Sequence, residues 1–257
     1  MLYKTKNFLC IIFVLCLAIS CSTPRPSGQT EAEILYKEAL GLVEDSRFLL
    51  ATEKLNSIRS KFPYSYYATH GELLQADILF KQENYVEAAA AYILFRDFHP
   101  KNKKLGYVIW KIAESFYLQL PDTFDRDLTP GHEAIKYYAE LLRRFPGSEY
   151  TKDSREKIKL CNDLIQEKEK YIADFYFKTE VYDSARFRYL DIIERFHDSN
   201  LKNHSMLRVL ESSLQLKDYK GCVGYYSTYK MKINKQSMPG LKKIYQTCNR
   251  LLSGAKS

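Results

Sequence analysis

Ala134-Ile135-Lys136-Tyr137-Tyr138-Ala139-Glu140-Leu141-Leu142-Arg143-Arg144-Phe145-Pro146-Gly147-Ser148-Glu149-Tyr150 reads as an amphipathic helix, a stop and the start of a second helix. Ala134, Tyr138, Leu141, Leu142 and Phe145 recur at helical spacing, while Lys136, Glu140, Arg143 and Arg144 occupy the other face. Pro146 lacks an N–H donor and pushes the residue before it out of the helical region, so the helix is predicted to end near Phe145. Ser148 is then placed to cap the next helix. The same arrangement recurs at Phe48–Pro63 (Ala51, Leu55, Ile58, Phe62), at Tyr85–Pro100 (Ala88, Tyr92, Phe95, His99) and at Tyr182–His197 (Ala185, Tyr189, Ile192, Phe196), with His197 in place of the proline. The stops at 63, 100, 146 and 197 lie 37, 46 and 51 residues apart, which is a 34-residue helix–turn–helix period carrying insertions. One such pair cannot bury its apolar face alone; stacked neighbours bury it together and leave a long concave surface.

Composition agrees with stacked helices. The 257 residues carry 21 Tyr but only 10 Gly and 8 Pro, and no β-rich run bounded by turn signals stands out. The expectation is an all-α solenoid of about five helix pairs plus a C-terminal helix, spanning 31–252, with 253–257 as a disordered tail. The net charge of +8 reads as modest and interspersed with acids, without the continuous basic stripe that nucleic-acid binding requires. A weak attraction to anionic membrane or acidic partners is compatible with it.

Residues 1–20 read as an export signal: Lys4 and Lys6, then an apolar run from Phe8 to Ile19 that is too short for an ordinary spanning helix. Leu17-Ala18-Ile19-Ser20-Cys21 resembles a bacterial lipobox. The small residue before the cysteine fits; the place usually held by Leu holds Ala18. The resemblance implies cleavage before Cys21, diacylglycerol on its thiol and N-acylation, and Ser22 in the next position favours the outer membrane. An ordinary secretory signal followed by a chance cysteine is the alternative. Residues 21–30 form the lipidated cysteine and a flexible, polar, proline-containing tether. Cys161, Cys222 and Cys248 remain in the folded part, without CxxC spacing or paired histidines, so metal binding is not expected. Their reading is as buried helical thiols, with oxidation of two of them in an exported chain left open.

The first repeat covers Ala32 to Lys61, and the second begins near Tyr66. Between them Phe62-Pro63-Tyr64-Ser65-Tyr66-Tyr67 places three tyrosines beside a stop, as a peptide-binding lip or as packing between repeats. The third repeat opens with a helix over 105–120, with Tyr107, Trp110, Ala113 and Tyr117 inward. The loop Pro121–Gly131 interrupts it. There Asp125 and Asp127 flank Arg126. Without a nucleophile motif, a Gly-rich phosphate loop or metal spacing, this trio is assigned to self-pairing and to capping a helix from Gly131 rather than to acid–base chemistry. The fourth repeat opens with a long helix over 149–178, with Leu160, Cys161, Leu164, Ile165, Tyr171 and Phe175 among its apolar positions. Val181–Phe196 closes that pair. Leu201–Lys232 forms the fifth, and a last helix spans Leu241–Leu252.

At this point the chain resembles the BamD family, tetratricopeptide-repeat lipoproteins of the outer-membrane β-barrel assembly machine. Four features carry the resemblance. They are the lipidated cysteine with its tether, the Tyr/Phe-x-x-Ala-x-x-x-Tyr/Leu helices ended by Phe-Pro or His-Pro, the string from Asp125-Arg126-Asp127 through Arg144-Phe145-Pro146-Gly147-Ser148-Glu149-Tyr150 to Asp153-Ser154, and Ala173-Asp174-Phe175-Tyr176. His197, a shortened insertion before Asp125 and a divergent C-terminal part depart from the family pattern. The resemblance implies a non-enzymatic scaffold on the periplasmic face of the outer membrane, without cofactor beyond the lipid on Cys21. Its implied partners are the barrel-forming subunit, unfolded barrel precursors and accessory lipoproteins; nucleic acid is not among them. It also implies that Arg188 contacts the barrel-forming subunit and that Tyr36, Tyr64, Tyr66 and Tyr67 line a groove for the aromatic-ended strand of a precursor. A solvated surface arginine is the alternative at Arg188. Other repeat lipoproteins of cell-wall or secretion machinery, and a glycan-capture lipoprotein, share the helix-pair physics.

Overall fold

The computed structural model describes residues 30–254. The expected signal, Cys21 and nearly all of the tether lie outside the described residues. Within them are eleven helices and no strand: α1 (Glu31–Glu44), α2 (Phe48–Lys61), α3 (Tyr66–Lys81), α4 (Tyr85–Phe98), α5 (Leu105–Tyr117), α6 (Thr129–Arg144), α7 (Thr151–Lys178), α8 (Tyr182–Arg195), α9 (Ser199–Gln215), α10 (Tyr219–Tyr229) and α11 (Met238–Gly254). The protein is an all-α solenoid of helix pairs.

The helix ends follow the repeated stop. Phe62, His99 and Phe145, each preceding a proline or a turn that begins with one, leave α2, α4 and α6 at φ/ψ of −134/53°, −123/55° and −134/59°. Phe196, with His197 after it, is fully extended at −105/153°. A second recurring device joins the two helices of a pair. Ser46, Glu83, Glu180 and Lys217 all adopt left-handed backbone, with φ between 59° and 63°. None is glycine, although an L side chain strains this conformation. Three of these turns close with an N–H reaching back five residues, Arg47 to Leu42, Val181 to Tyr176 and Asp218 to Ser213, which satisfies carbonyls that the helix end leaves open. The pair α5–α6 has the long Pro121–Leu128 loop instead.

Two compact units result, residues up to Gln82 and residues from Glu83 onward. In the first, α2 packs on α1 and α3, and α1 also touches α3. Its core joins Ala39, Val43, Ala51, Leu55, Ile58, Leu74 and Ile78. In the second, each helix from α4 to α11 packs on its successor, and α5 meets α7, α7 meets α9 and α9 meets α11. That alternation is the stacking of first helices on first helices. Ala88, Tyr92, Ala134, Tyr138, Ala185 and Tyr189 are wholly buried, so the small-then-large spacing of the second helices is core packing.

Several expectations need correction. α7 starts at Thr151, and its flanking residue Tyr150 makes no side-chain cap; Ser148 Oγ instead accepts the Tyr150 N–H at 3.4 Å within the turn. α6 begins at Thr129 rather than Gly131, and α11 runs through Gly254, so Ser253 and Gly254 are helical. In α5 the inward residues are Val108, Ile109, Ile112 and Ala113, whereas Tyr107, Trp110 and Tyr117 are only half-buried, keeping their polar tips within reach of partners. In α7 Leu160, Tyr171 and Phe175 are exposed. A 28-residue helix outruns the 16 residues of α6 and the 14 of α8, so its neighbours cannot cover its whole apolar stripe.

Two of the three cysteines are bridged. Cys222 on α10 and Cys248 on α11 form a disulfide across a sequence separation of 26, and Cys161 stays a buried free thiol. Their positions in separate helices hid the pairing from the sequence. Closing a loop of this size restricts the unfolded chain by about 3 kcal/mol. A Cys222→Ser/Cys248→Ser variant is therefore expected to lose about 3 kcal/mol in urea unfolding, matching the wild type under reducing conditions.

Candidate interaction surfaces

Among the described residues no helix is long and apolar enough to cross a membrane, and no group of three His, Cys, Asp or Glu is placed to hold a metal ion.

In the first unit α1 and α3 bring Tyr36, Tyr66 and Tyr67 together. Tyr36 and Tyr67 have ring centroids 5.6 Å apart, and Tyr66 meets Tyr67 edge-on at 5.4 Å. His70, which the sequence reading passed over, completes the cluster. Its ring lies 3.9 Å from that of Tyr66 and edge-on to Tyr36, and Nδ1 pairs with the Tyr66 carbonyl at 2.9 Å. Burial, with the fields of Asp77, Tyr66 and Tyr67, raises the Tyr36 pKa. Tyr64 does not join the cluster; it stands wholly in solvent in the turn before α3, 100% exposed.

In the second unit two carboxylates, Glu114 buried and Asp174 half-buried, bind three helices each. Glu114 on α5 is almost completely buried. It accepts the Tyr138 hydroxyl from α6, and Lys157 Nζ on α7 donates to both its oxygens at 2.5 and 2.6 Å. Burial opposes charge on Lys157, but the hydrogen bond and field of Glu114 outweigh it and raise the lysine's pKa. Burial, then the Glu114 bond, pushes the Tyr138 phenol far above its ordinary value. Asp153 extends the network, pairing with Lys157 at 3.2 Å and accepting Trp110 Nε1 at 3.1 Å. One repeat later the pattern returns. Asp174 on α7 accepts the Tyr189 hydroxyl on α8 at 2.6 Å, contacts His204 Nε2 on α9 at 2.8 Å, and pairs with Lys170 at 2.7 Å. Burial works against the Asp174 carboxylate, but the bonds from Lys170, Tyr189 and His204 hold its pKa at about 2.

Arg186 and Arg188 on α8 differ in what they touch. Arg186 donates to Asp218, the cap of α10, at 2.7 Å and to Ser213 at 3.3 Å, so it fixes α10 against α8. An added Cβ at Gly221 would lie 2.2 Å from the Asp218 carboxylate, so a substitution there would make the capping side chain shift. The Arg188 side chain is 40% exposed and, among the described residues, reaches only Glu169, at 3.8 Å, which it shares with Arg195. It lines an open cleft of about 430 Å³ with Tyr176, Phe187 and Tyr225, and Phe187 beside it is 69% exposed.

The Asp125-Arg126-Asp127 trio is local structure. Asp127 accepts both the N–H and hydroxyl of Thr129 at 3.0 and 2.8 Å. A hydrogen bond from the Thr123 hydroxyl, then its own backbone, lowers the Asp125 pKa, with the Arg126 charge adding to this. The Arg126 carbonyl accepts Lys168 from α7 at 2.5 Å, so the loop is pinned to the long helix. Asp127 satisfies the first N–H of α6, at Thr129, two residues before the expected start, while the N-cap position, Leu128, makes no side-chain bond, and the field of Arg126 is a lesser cause of the lowered Asp125 pKa.

Comparison with known proteins decides the family. The model of a family described as outer membrane lipoprotein, YfiO, matches residues 28–220. The chain belongs to the YfiO family of outer membrane lipoproteins. Among curated relatives, this YfiO-family chain is 27% identical over 231 residues to outer membrane protein assembly factor BamD of Rickettsia prowazekii (strain Madrid E), covering 86% of this chain and 92% of that protein. It is 28% identical to the protein of the same name from Neisseria gonorrhoeae, covering 76% and 79%, and 26% identical to that of Vibrio cholerae serotype O1, covering 84% and 92%. The family match contains the tyrosine cluster, both carboxylate networks and Arg188, and ends at the first turn of α10.

Two measurements test the networks. Lys157→Met strands the Glu114 carboxylate in the core and is expected to cost about 3 kcal/mol in urea unfolding, much of it recovered in Glu114→Leu/Lys157→Met. Because the folded Asp174 pKa lies below its ordinary value, its contribution is complete above pH 4 and is lost as pH falls toward 2. Unfolding midpoints measured from pH 5 to pH 2 are expected to fall less steeply for Asp174→Asn than for the wild type.

Proposed function

We propose that the chain is a non-enzymatic scaffold of outer-membrane β-barrel assembly, held at the periplasmic face of the outer membrane by acyl chains on Cys21 and freed of its signal at 1–20. The observation that carries this reading is that curated relatives named as assembly factors align over most of this chain and most of their own length. In this reading the second unit binds the barrel-forming subunit, and Arg188 is its contact residue. A guanidinium held only at 3.8 Å by a shared carboxylate keeps its fork free for a bidentate bond to a partner's carboxylate, with exposed Phe187 as its apolar neighbour. Tyr36, Tyr66 and Tyr67, extended by His70, receive the aromatic-ended strand of an incoming precursor, because ring edges and faces at 4–6 Å spacing suit another ring. Tyr64 contributes only as an exposed neighbour. Accessory lipoproteins are further partners in this reading.

Crosslinked co-purification from membranes, comparing the wild type with Arg188→Glu, tests it. The wild type is expected to recover a barrel protein bearing repeated periplasmic domains, and the variant at least about tenfold less, the loss expected when a charged interface bond is reversed. Equal recovery by both would keep the scaffold and remove Arg188 from its interface. Recovery of cell-wall or secretion proteins without the barrel subunit would replace assembly with another envelope scaffold.

A further inference from the structure

The charge of this chain is not evenly distributed. From 217 to 254 it carries eight Lys and Arg and a single acid, Asp218. That acid is consumed by the Gly221 N–H and Arg186. In the helices before it, cations pair repeatedly with carboxylates, as at Lys37–Glu33, Lys54–Glu38, Arg144–Glu140 and Arg195–Asp191. At the C-terminal end, among the described residues, the cations are exposed and no ion pair holds them. The interspersed charge expected from overall composition is thus replaced by a basic end built on α10, the 230–237 connector and α11.

The connector adds an apolar element at its exposed edge. Lys230-Met231-Lys232 leaves α10, and Met231 is 86% exposed between its two lysines, while Ile233 turns back into the core. Lys235 in the connector and Lys242 and Lys243 in the first turns of α11 are exposed as well. An unpaired basic surface with a flexible thioether at its rim matches a layer that is anionic at its surface and apolar just beneath. Nucleic acid would supply the charge without the apolar layer. The disulfide between Cys222 and Cys248 holds α10 to α11, so the surface keeps its shape.

We propose that this end of the protein, the Lys230-Met231-Lys232 connector with Lys235, Lys242 and Lys243, docks on the phosphate-bearing headgroups of anionic phospholipid, with Met231 entering the interface. It provides a second membrane contact at the opposite end of the chain from the acyl anchor. All of it lies past residue 220, where the family match ends. It is independent of Arg188 and of the barrel partner.

The test uses the full lipidated chain carrying Met231→Trp, reconstituted in vesicles of neutral phosphatidylcholine or in vesicles with about a third phosphatidylglycerol, with nitroxide-labelled lipid as quencher. The indole at position 231 is expected to be quenched in anionic vesicles, to be released at about 1 M salt, where the Debye length falls to about 3 Å, and to remain unquenched in neutral vesicles. Adding Lys230→Glu/Lys232→Glu is expected to lower the quenched fraction at least about tenfold, since each lysine near an anionic surface contributes about a factor of five. Both substitutions are on exposed connector residues, and unchanged helical circular dichroism and urea midpoint verify folding. Equal quenching in neutral and anionic vesicles would overturn the proposal by assigning the contact to tethering alone. An indole that stays in water in both, or is shielded only by an acidic protein domain, would overturn it by assigning the surface to solvent or to a protein partner.

Discussion

A carboxylate withdrawn from water at the centre of three helices sets the constraint on which the second unit depends. Glu114 brings one hydroxyl from α6 and one ammonium from α7 to α5. Apolar faces attract without direction and tolerate sliding, whereas a buried charge tolerates only the arrangement that supplies its hydrogen bonds. This arrangement occurs at the pair whose turn is replaced by the long Pro121–Leu128 loop, where the short left-handed connection is absent. Asp174 repeats it across α7, α8 and α9, so the long α7 is held near both ends by directional bonds.

The surfaces follow from that frame. α7 is too long for its neighbours and exposes Tyr171 and Phe175; α8 is short, and two of its three arginines diverge, Arg186 binding the Asp218 cap of α10 and Arg188 standing 3.8 Å from Glu169. Position along α8 decides the difference. Arg186 lies within reach of the Asp218 cap, and Arg188, half a turn further on, meets only the distant Glu169. The proposed scaffold would use this division, because a residue already satisfied by its own chain has little to offer a partner.

Much of the helical stack was legible in sequence because its cause is local. Proline stops at 63, 100 and 146, small-then-large spacing at Ala88/Tyr92, Ala134/Tyr138 and Ala185/Tyr189, and aromatic starts at Phe48, Tyr85, Tyr182 and Tyr219 all act within one helix pair. The missed features depend on distant residues. Tyr138 and Tyr189 were read as apolar bulk, although a fully buried phenol signals an acceptor somewhere on a neighbouring helix. Cys222 and Cys248 meet only once α10 and α11 are paired. The left-handed turns were hidden because Ser46, Glu83, Glu180 and Lys217 are not the glycines that usually mark them. His70 escaped notice because its relation to Tyr36 spans two helices. The basic end is local, and a net charge taken over the whole chain conceals it.

Photo-crosslinking in growing cells from a benzoyl-phenylalanine placed at Phe187 tests the account most directly. That side chain is exposed beside Arg188, and the substitution leaves the buried networks untouched. One dominant adduct is expected, to the barrel-forming subunit of the outer-membrane assembly machine. Adducts confined to other envelope proteins, with the barrel subunit absent, would contradict it.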